Sequence, residues 1–309
     1  MEYYIGFDVG GTKCAVSLGA VNGDGSLNIL HREEVATLPS PIQTLEKLAP
    51  FVLQWKAQYG VTKAGISCGG PLDSETGIII SPPNLASSWH GFNIVQYVND
   101  TFALTSKLEN DANACAVAEW LFGAGVGTKN MVFMTFGTGL GAGLILDGKL
   151  YSGTNGNAGE VGHLRMAENG PLGFNKHGSA EGFCSGNGIK NLALIMAKEQ
   201  NFPIDESITT KTIFQKAREG EEFFLSVIRE SATKFGYVLS ILIDLFNPEV
   251  IVAGGVFMRN YDLFMPILTP IIQRESLAPS LEVCKILPAK IGENVGDFAA
   301  IAIAKTIKE

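Results

Sequence analysis

Between two apolar runs, the segment IGFDVGGTKCAVSLG (5–19) sets adjacent glycines followed by a Thr and a Lys. The device returns at FMTFGTGLGAGLILDG (133–148). Each copy reads as strand, glycine turn, strand and then a polar hairpin signal, NGDG at 22–25 and LDGK at 146–149. Glycines in such turns admit positive φ and bring backbone N–H groups close to a ligand. A ring of these groups binds phosphate oxygens without side-chain charge. A chain that builds the device twice is expected to form two similar α/β halves facing each other, each offering a phosphate-facing turn to a shared cleft. Taken singly, either copy also fits a plain tight β-turn.

These are not the commoner nucleotide loops. No GxxxxGK[ST] pattern occurs. A dinucleotide GxGxxG starting at Gly137 and Gly139 meets Ala142 where its third glycine belongs. That loop also leads into a strand rather than a helix, so no helix N-terminus receives a pyrophosphate.

A length of 309 residues suggests two domains at about 150 residues each. Hydrophobic residues at 46% against 17% charged supply a large core and exclude a disordered chain. Net charge is -8 with no basic stripe, which argues against nucleic acid as partner. An anionic ligand must then be held by local devices, backbone N–H groups and a bound cation. The five cysteines (14, 68, 115, 184, 284) are scattered without a CxxC pair, so reduced thiols in the cytoplasm are expected rather than disulfides. The opening MEYYIGFDVGG is acidic and enters a strand directly, unlike a signal peptide. The apolar runs are too short to span a membrane.

Further along, 41–58 carries a helical apolar face, with Pro50 set to kink or split it. AGISCGG (64–70) is a strand ending in glycines, 71–93 a loop-rich excursion, and TSKLEND (105–111) a strand running into a helix over 112–122. Strands at Met131–Phe136 and Leu144–Leu146 flank the second glycine loop, and 147–187 reads as glycine-punctuated loop. Helices follow at 186–200 and 221–245, then the strand EVIVAGG (249–255) and a last helix over 296–308.

The segments DVGGTK, CGGPLD, ENDANACAVAEWLFGAG, GTGLGAGLILDGKLYSGTNGNAGEVGH and IVAGG come in the order and spacing of the ROK family (repressor, open reading frame, kinase), which the chain resembles over nearly its whole length. The resemblance implies an α/β, actin-like ATPase fold of two ribonuclease-H-like domains around a central cleft. It places residues 1–108 with 297–309 in a smaller domain and 109–296 in a larger one. It implies a glucokinase-like sugar kinase using ATP and Mg²⁺ and acting as a homodimer. Asp8, Gly10, Gly11, Thr12 and Lys13 match the first phosphate loop; Thr138, Gly139 and Gly141 match the second; Gly254 and Gly255 match the glycine pair near the adenosine. Gly70, Asn84, Asn110, Asp111, Glu160, His163 and Glu181 match the sugar pocket.

Phosphoryl transfer needs an acceptor hydroxyl in line, charge stabilisation and exclusion of water, and hinge closure of a cleft on the sugar supplies the last. Asp111 begins a helix, where it serves either as the base taking the hydroxyl proton or as an ordinary helix cap. Asp8 leaves a buried strand at the first turn, where a carboxylate needs Mg²⁺, its waters or turn N–H groups as partner. Lys13 either reaches a phosphate or is a solvated strand-end lysine. Glu160, His163 and Glu181 are candidate contacts to sugar hydroxyls, while Trp89 and His90 are read as packing.

One departure stands out. Members of the family usually carry CxCGxxGC before the pocket glutamate and bind a structural zinc with it. Here LGFNKHGSAE (172–181) puts Leu172, Phe174 and Ser179 at the cysteine positions. Leu and Phe cannot ligate and zinc needs four good ligands, so zinc is not expected, even with His163 and His177 nearby. Two other readings are a sugar-responsive repressor and a non-catalytic sugar-binding member. The repressor needs a helix-turn-helix of about 60–80 residues ahead of the kinase-like part, whereas here the first phosphate strand starts by residue 3; the sugar-binding member fits poorly with intact Asp8, Asp111 and glycine turns.

Overall fold

Strand β1 (Glu2–Val9) buries Tyr4 through Phe7 and Val9, side chains on both of its faces, as a central strand does. In the computed structural model, which describes residues 1–308 except for the side chain of Glu293, β1 lies at the middle of a five-stranded mixed sheet. Its antiparallel neighbour is β2 (Lys13–Val21), which pairs in turn with β3 (Leu27–Ala36). On the other side β4 (Lys63–Cys68) and β5 (Thr105–Asn110) run parallel, giving the order β3-β2-β1-β4-β5.

A second sheet repeats that plan. Strand β6 (Met131–Phe136) takes the place of β1, β7 (Leu140–Leu146) pairs antiparallel with it, and β8 (Lys149–Tyr151) forms the outer edge. Strands β9 (Val250–Ala253) and β10 (Lys285–Pro288) run parallel to β6 on its other side. Parallel strands end on the same edge of their sheet. The first sheet therefore collects Gly10, Gly69 and Asp111 at one edge, and the second collects Gly137 and Gly254.

The chain divides into two compact units, Met1–Gly127 with Leu150–Ala158 and the segment from Lys290 on, and Thr128–Lys149 with Gly159–Ala289. The helix Asp111–Phe122, which the sequence reading placed in the larger domain, groups with the first unit. It packs on the C-terminal helix Val295–Lys305, and the buried Glu119 carboxylate accepts the N–H groups of Ala124 (2.7 Å) and Ile291 (2.8 Å). That C-terminal helix lies close against three strands of the sheet. A Cβ on Gly6 would come within 2.8 Å of Ala300 Cβ, one on Gly19 within 2.9 Å of Ile301, and one on Gly65 would overlap the Ala300 carbonyl.

Local signals explain the helix ends. The helix Pro41–Tyr59 is capped by Ser40, opens on a proline and stops at Gly60 in the left-handed region. It runs unbroken through Pro50, where the sequence suggested a kink or a split. The excursion over 71–93 holds a small sheet of two-residue strands at Leu72–Asp73, Ile78–Ile79 and Phe92–Asn93, folded around a fully buried Trp89. Within 147–187, expected as loop, lie β8, a short hairpin at 172–177 and the single-turn helix Ala180–Phe183. Among the described residues no helix is long and apolar enough to cross a membrane.

Candidate active site

In the first unit the turn between β1 and β2 closes with Gly10 N–H donating to Lys13 O at 3.0 Å. Thr37 braces it from β3's far end: its hydroxyl donates to Gly10 O (2.6 Å) and its N–H to Thr12 O (2.9 Å). Neither Gly10 nor Gly11 has a positive φ, contrary to the sequence argument. Gly11 is required by crowding instead, since a Cβ there would overlap the Asn84 carbonyl. The second turn repeats this. Gly137, Gly139 and Gly141 all lie outside the positive-φ region. A Cβ on Gly139 would meet Glu181 Oε2 at 2.7 Å. This turn is also tighter than the sequence suggested, because β7 begins at Leu140 and takes Gly141 and Gly143 into the ladder.

Around the first turn the structure gathers carboxylates. Asp8 is largely buried, and its carboxyl is pushed up to about 6 by burial, then by the like charges of Asp297 and Asp111. The guanidinium of Arg32 works in the other direction, but it bonds Asp297 (3.0 Å) and Glu34 (2.7 Å) rather than Asp8. Lys13 is exposed and ion-paired with Glu34. Gly296, in the first turn of the C-terminal helix, comes so close to Asp8 that a Cβ would sit 2.5 Å from its Oδ2.

Next to this group, Asn110 caps the Asp111 helix, its Oδ1 accepting the N–H groups of Ala112 (2.9 Å) and Asn113 (3.4 Å). That cap leaves Asp111 at the first helical position, exposed, with Oδ1 also accepting from Ala112 N–H (2.8 Å). A Cβ built on Gly69 would lie 3.7–3.8 Å from Asn84 and from Asp111 Oδ2, and one on Gly70 3.3 Å from Asn110 Nδ2. Gly11, Gly69, Gly70, Asn84, Asn110 and Asp111 thus come together. Trp89 is core, as expected, its indole donating to Leu38 O (3.0 Å), whereas His90 is exposed rather than packed.

In the second unit Glu181 stands on the helix Ala180–Phe183 and accepts Leu140 N–H (3.1 Å) just past the turn. Gly162 backs onto Leu140 O and lies beside Glu181 Cβ, which brings the 160–163 segment to the same place. Glu160 is exposed and His163 half-buried, joined by a bond from His163 N–H to Glu160 O (3.1 Å). Gly254 donates to Met134 O (3.0 Å), and Gly255, at φ 57°, begins a short helix against Phe136 O. The N–H of Gly186 reaches the turn from elsewhere, bonding Gly137 O (2.8 Å). Thr138 is exposed at its apex.

Leu172, Phe174 and Ser179, which stand where the resemblance puts cysteine ligands, have other work. Leu172 pairs with His177 across the 172–177 hairpin. Ser179 donates to Gly173 O (3.1 Å) and accepts Gly182 N–H (3.2 Å). His177 Nδ1 lies 2.9 Å from Gly170 O. A pocket of about 670 Å³, bordered by His177, Glu199, Glu230 and Lys234, contains none of the predicted site residues.

Thr37, Arg32, Gly296, Asp297 and Gly186 escaped the sequence reading. Only Asp297, an acidic residue in the first turn of the last helix expected over 296–308, left any local sign.

Residues 4–307 match the model of the ROK family. A glucokinase of Streptomyces coelicolor is 30% identical over 319 aligned residues, covering 99% of this chain and 98% of its own. Among solved structures, a ROK family glucokinase from Streptomyces griseus, in complex with glucose and AMPPNP, superposes with a TM-score of 0.76 at 29% identity over 99% of this chain and all of its own. A ROK family transcriptional regulator, homologous to the Escherichia coli MLC protein, superposes at 0.86 with 24% identity over 98% of this chain and 77% of its own; that likeness speaks for fold alone. The two matched sheets are those of the actin-like ATPase fold.

Proposed function

The chain belongs to the ROK family, and from that premise we propose that it is an ATP-dependent hexose kinase with Asp111 as general base. The observation that carries this reading is the convergence of Asp8, Asp111, Asn84 and Asn110 on one glycine-lined edge of the first sheet. A sensor that only bound sugar would gain nothing from setting like charges side by side there. The neighbouring enzyme's glucose and AMPPNP supply the matching ligand classes.

In this reading Asn84, Asn110, Glu160, His163 and Glu181 bind sugar hydroxyls. Asp111 takes the proton of the acceptor hydroxyl as its oxygen bonds to the γ-phosphorus and ADP leaves. The turns at Gly10–Lys13 and Thr138–Gly141 hold phosphate oxygens, with Gly254 and Gly255 beside the adenosine. A buried carboxylate crowded by like charges is a donor set that suits a hard divalent cation. Asp8 would hold Mg²⁺, directly or through water, and the ion would offset charge on the transferring phosphoryl group.

The test is ATP consumption against glucose, fructose, mannose, N-acetylglucosamine and N-acetylmannosamine, with Asp111→Asn alongside. The expected result is turnover of at least one sugar, abolished in Asp111→Asn with sugar binding by calorimetry kept. Retained turnover in that variant removes the base assignment. Tight sugar binding with no turnover in the wild type would move the chain to the regulators instead.

A further inference from the structure

The tip of the 172–177 hairpin puts two consecutive residues in the left-handed region, Phe174 at φ 52° and Asn175 at φ 58°. Asn adopts that conformation readily and Phe rarely, so an asparagine or glycine at 174 would make the easier turn. Phe174 is also 62% exposed, so core packing does not explain it. A strained residue persists where its surroundings give it a task. The ring of Phe174 meets the imidazole of His163 edge to face, centroids 4.5 Å apart at 64°. From the other strand of the same hairpin Lys176 Nζ donates to His163 O at 2.6 Å. One hairpin therefore grips one histidine twice, by ring and by backbone. The residue before its tip is fixed in turn by Ser179 donating to Gly173 O.

We infer that the 172–177 hairpin is a clamp that positions His163, with Phe174 as the positioning residue for its imidazole. The inference rests on the proposed role of His163 at the sugar. The strain at 174 is tolerated because the ring contact holds the imidazole in one orientation, and the ordering cost of that ring is then not drawn from sugar binding.

Phe174→Asn separates this from a structural role, because it keeps the turn and deletes the ring. Its Tm is expected at or above wild type, while KM for the sugar rises about tenfold with KM for ATP unchanged. Phe174→Tyr keeps the ring and is expected to restore sugar KM. With four histidines in the chain (31, 90, 163 and 177), the ring Cε1–Hε1 signals are few, and the one lost in His163→Gln identifies His163. In Phe174→Asn that signal alone is expected to move. A sugar KM within twofold of wild type, or an unmoved His163 signal, overturns the clamp. If the wild-type protein turns over no sugar, the kinase reading fails separately, and calorimetry decides the clamp: sugar affinity about tenfold weaker in Phe174→Asn and kept in Phe174→Tyr supports it, and equal affinity in Phe174→Asn and wild type overturns it.

Discussion

The two glycine turns share a backbone plan and differ in their company. Asp8 stands two residues before Gly10, and Thr135 stands two residues before Gly137. Asp8 is a buried acid facing other acids. Thr135 is a neutral staple, its hydroxyl donating to Gly141 O (3.3 Å) and accepting Gly141 N–H (3.0 Å). The first turn accordingly sets a carboxylate among like charges, and the second spends its side chains on holding its own ladder.

The largest expected effect breaks or confirms that division. Asp111→Asn should lower kcat by about 10²–10⁴-fold, while Glu181→Gln beside the second turn should act mainly on sugar KM; steady-state kinetics on both settles whether the acid chemistry is one-sided.

Next comes Asp8. Its carboxyl keeps a proton up to about pH 6 in the folded chain, against 3.8 when unperturbed. The native state therefore binds more protons between those values, and the stability linked to Asp8 is full below about pH 4 and falls as pH rises through about 6. Asp8→Asn should remove that loss and stabilise the metal-free protein at pH 7 by about 1–3 kcal/mol. Denaturant titrations at pH 4 and pH 7 check it, and an equal effect at both values would show that charge is not the cause.

The glycines give a finer contrast. Gly11→Ala drives a methyl into the Asn84 backbone and should cost about 1–3 kcal/mol. Gly139→Ala meets only the end of the Glu181 side chain, which can swing aside, so it should cost less and show itself instead in sugar KM. Thermal melts beside kinetics distinguish the two. Smallest of all, Thr135→Val should cost about 1 kcal/mol for its hydrogen bonds, at every pH from 4 to 8.

Much of the frame was legible because the relevant signals are local. The apolar runs of β1 and β6, the polar hairpins and the Asn-Asp helix start each lie within a few residues. The second turn was misjudged because glycines at 141 and 143 read as loop, and only pairing with β6 makes them strand. The same limit hid the two-residue strands of 71–93, which exist through their neighbours rather than their own preference. Positive φ was the wrong reason for both turns: the crowding that demands glycine at 11 comes from the Asn84 backbone, and no local pattern announces it. Thr37, Gly296 and Gly186 likewise reach the turns from distant parts of the chain. The clamp on His163 was hidden for a further reason, since Phe174 looks wrong for its own turn until its partner is in view.

The close seat of the helix Val295–Lys305 against Gly6, Gly19 and Gly65 bears on how this protein is born. Those notches are translated before the second unit, and the helix that fills them leaves the ribosome only after all of it. The first unit thus waits with an open groove on its sheet while its sequel is made, so the half that begins first is the one that finishes last.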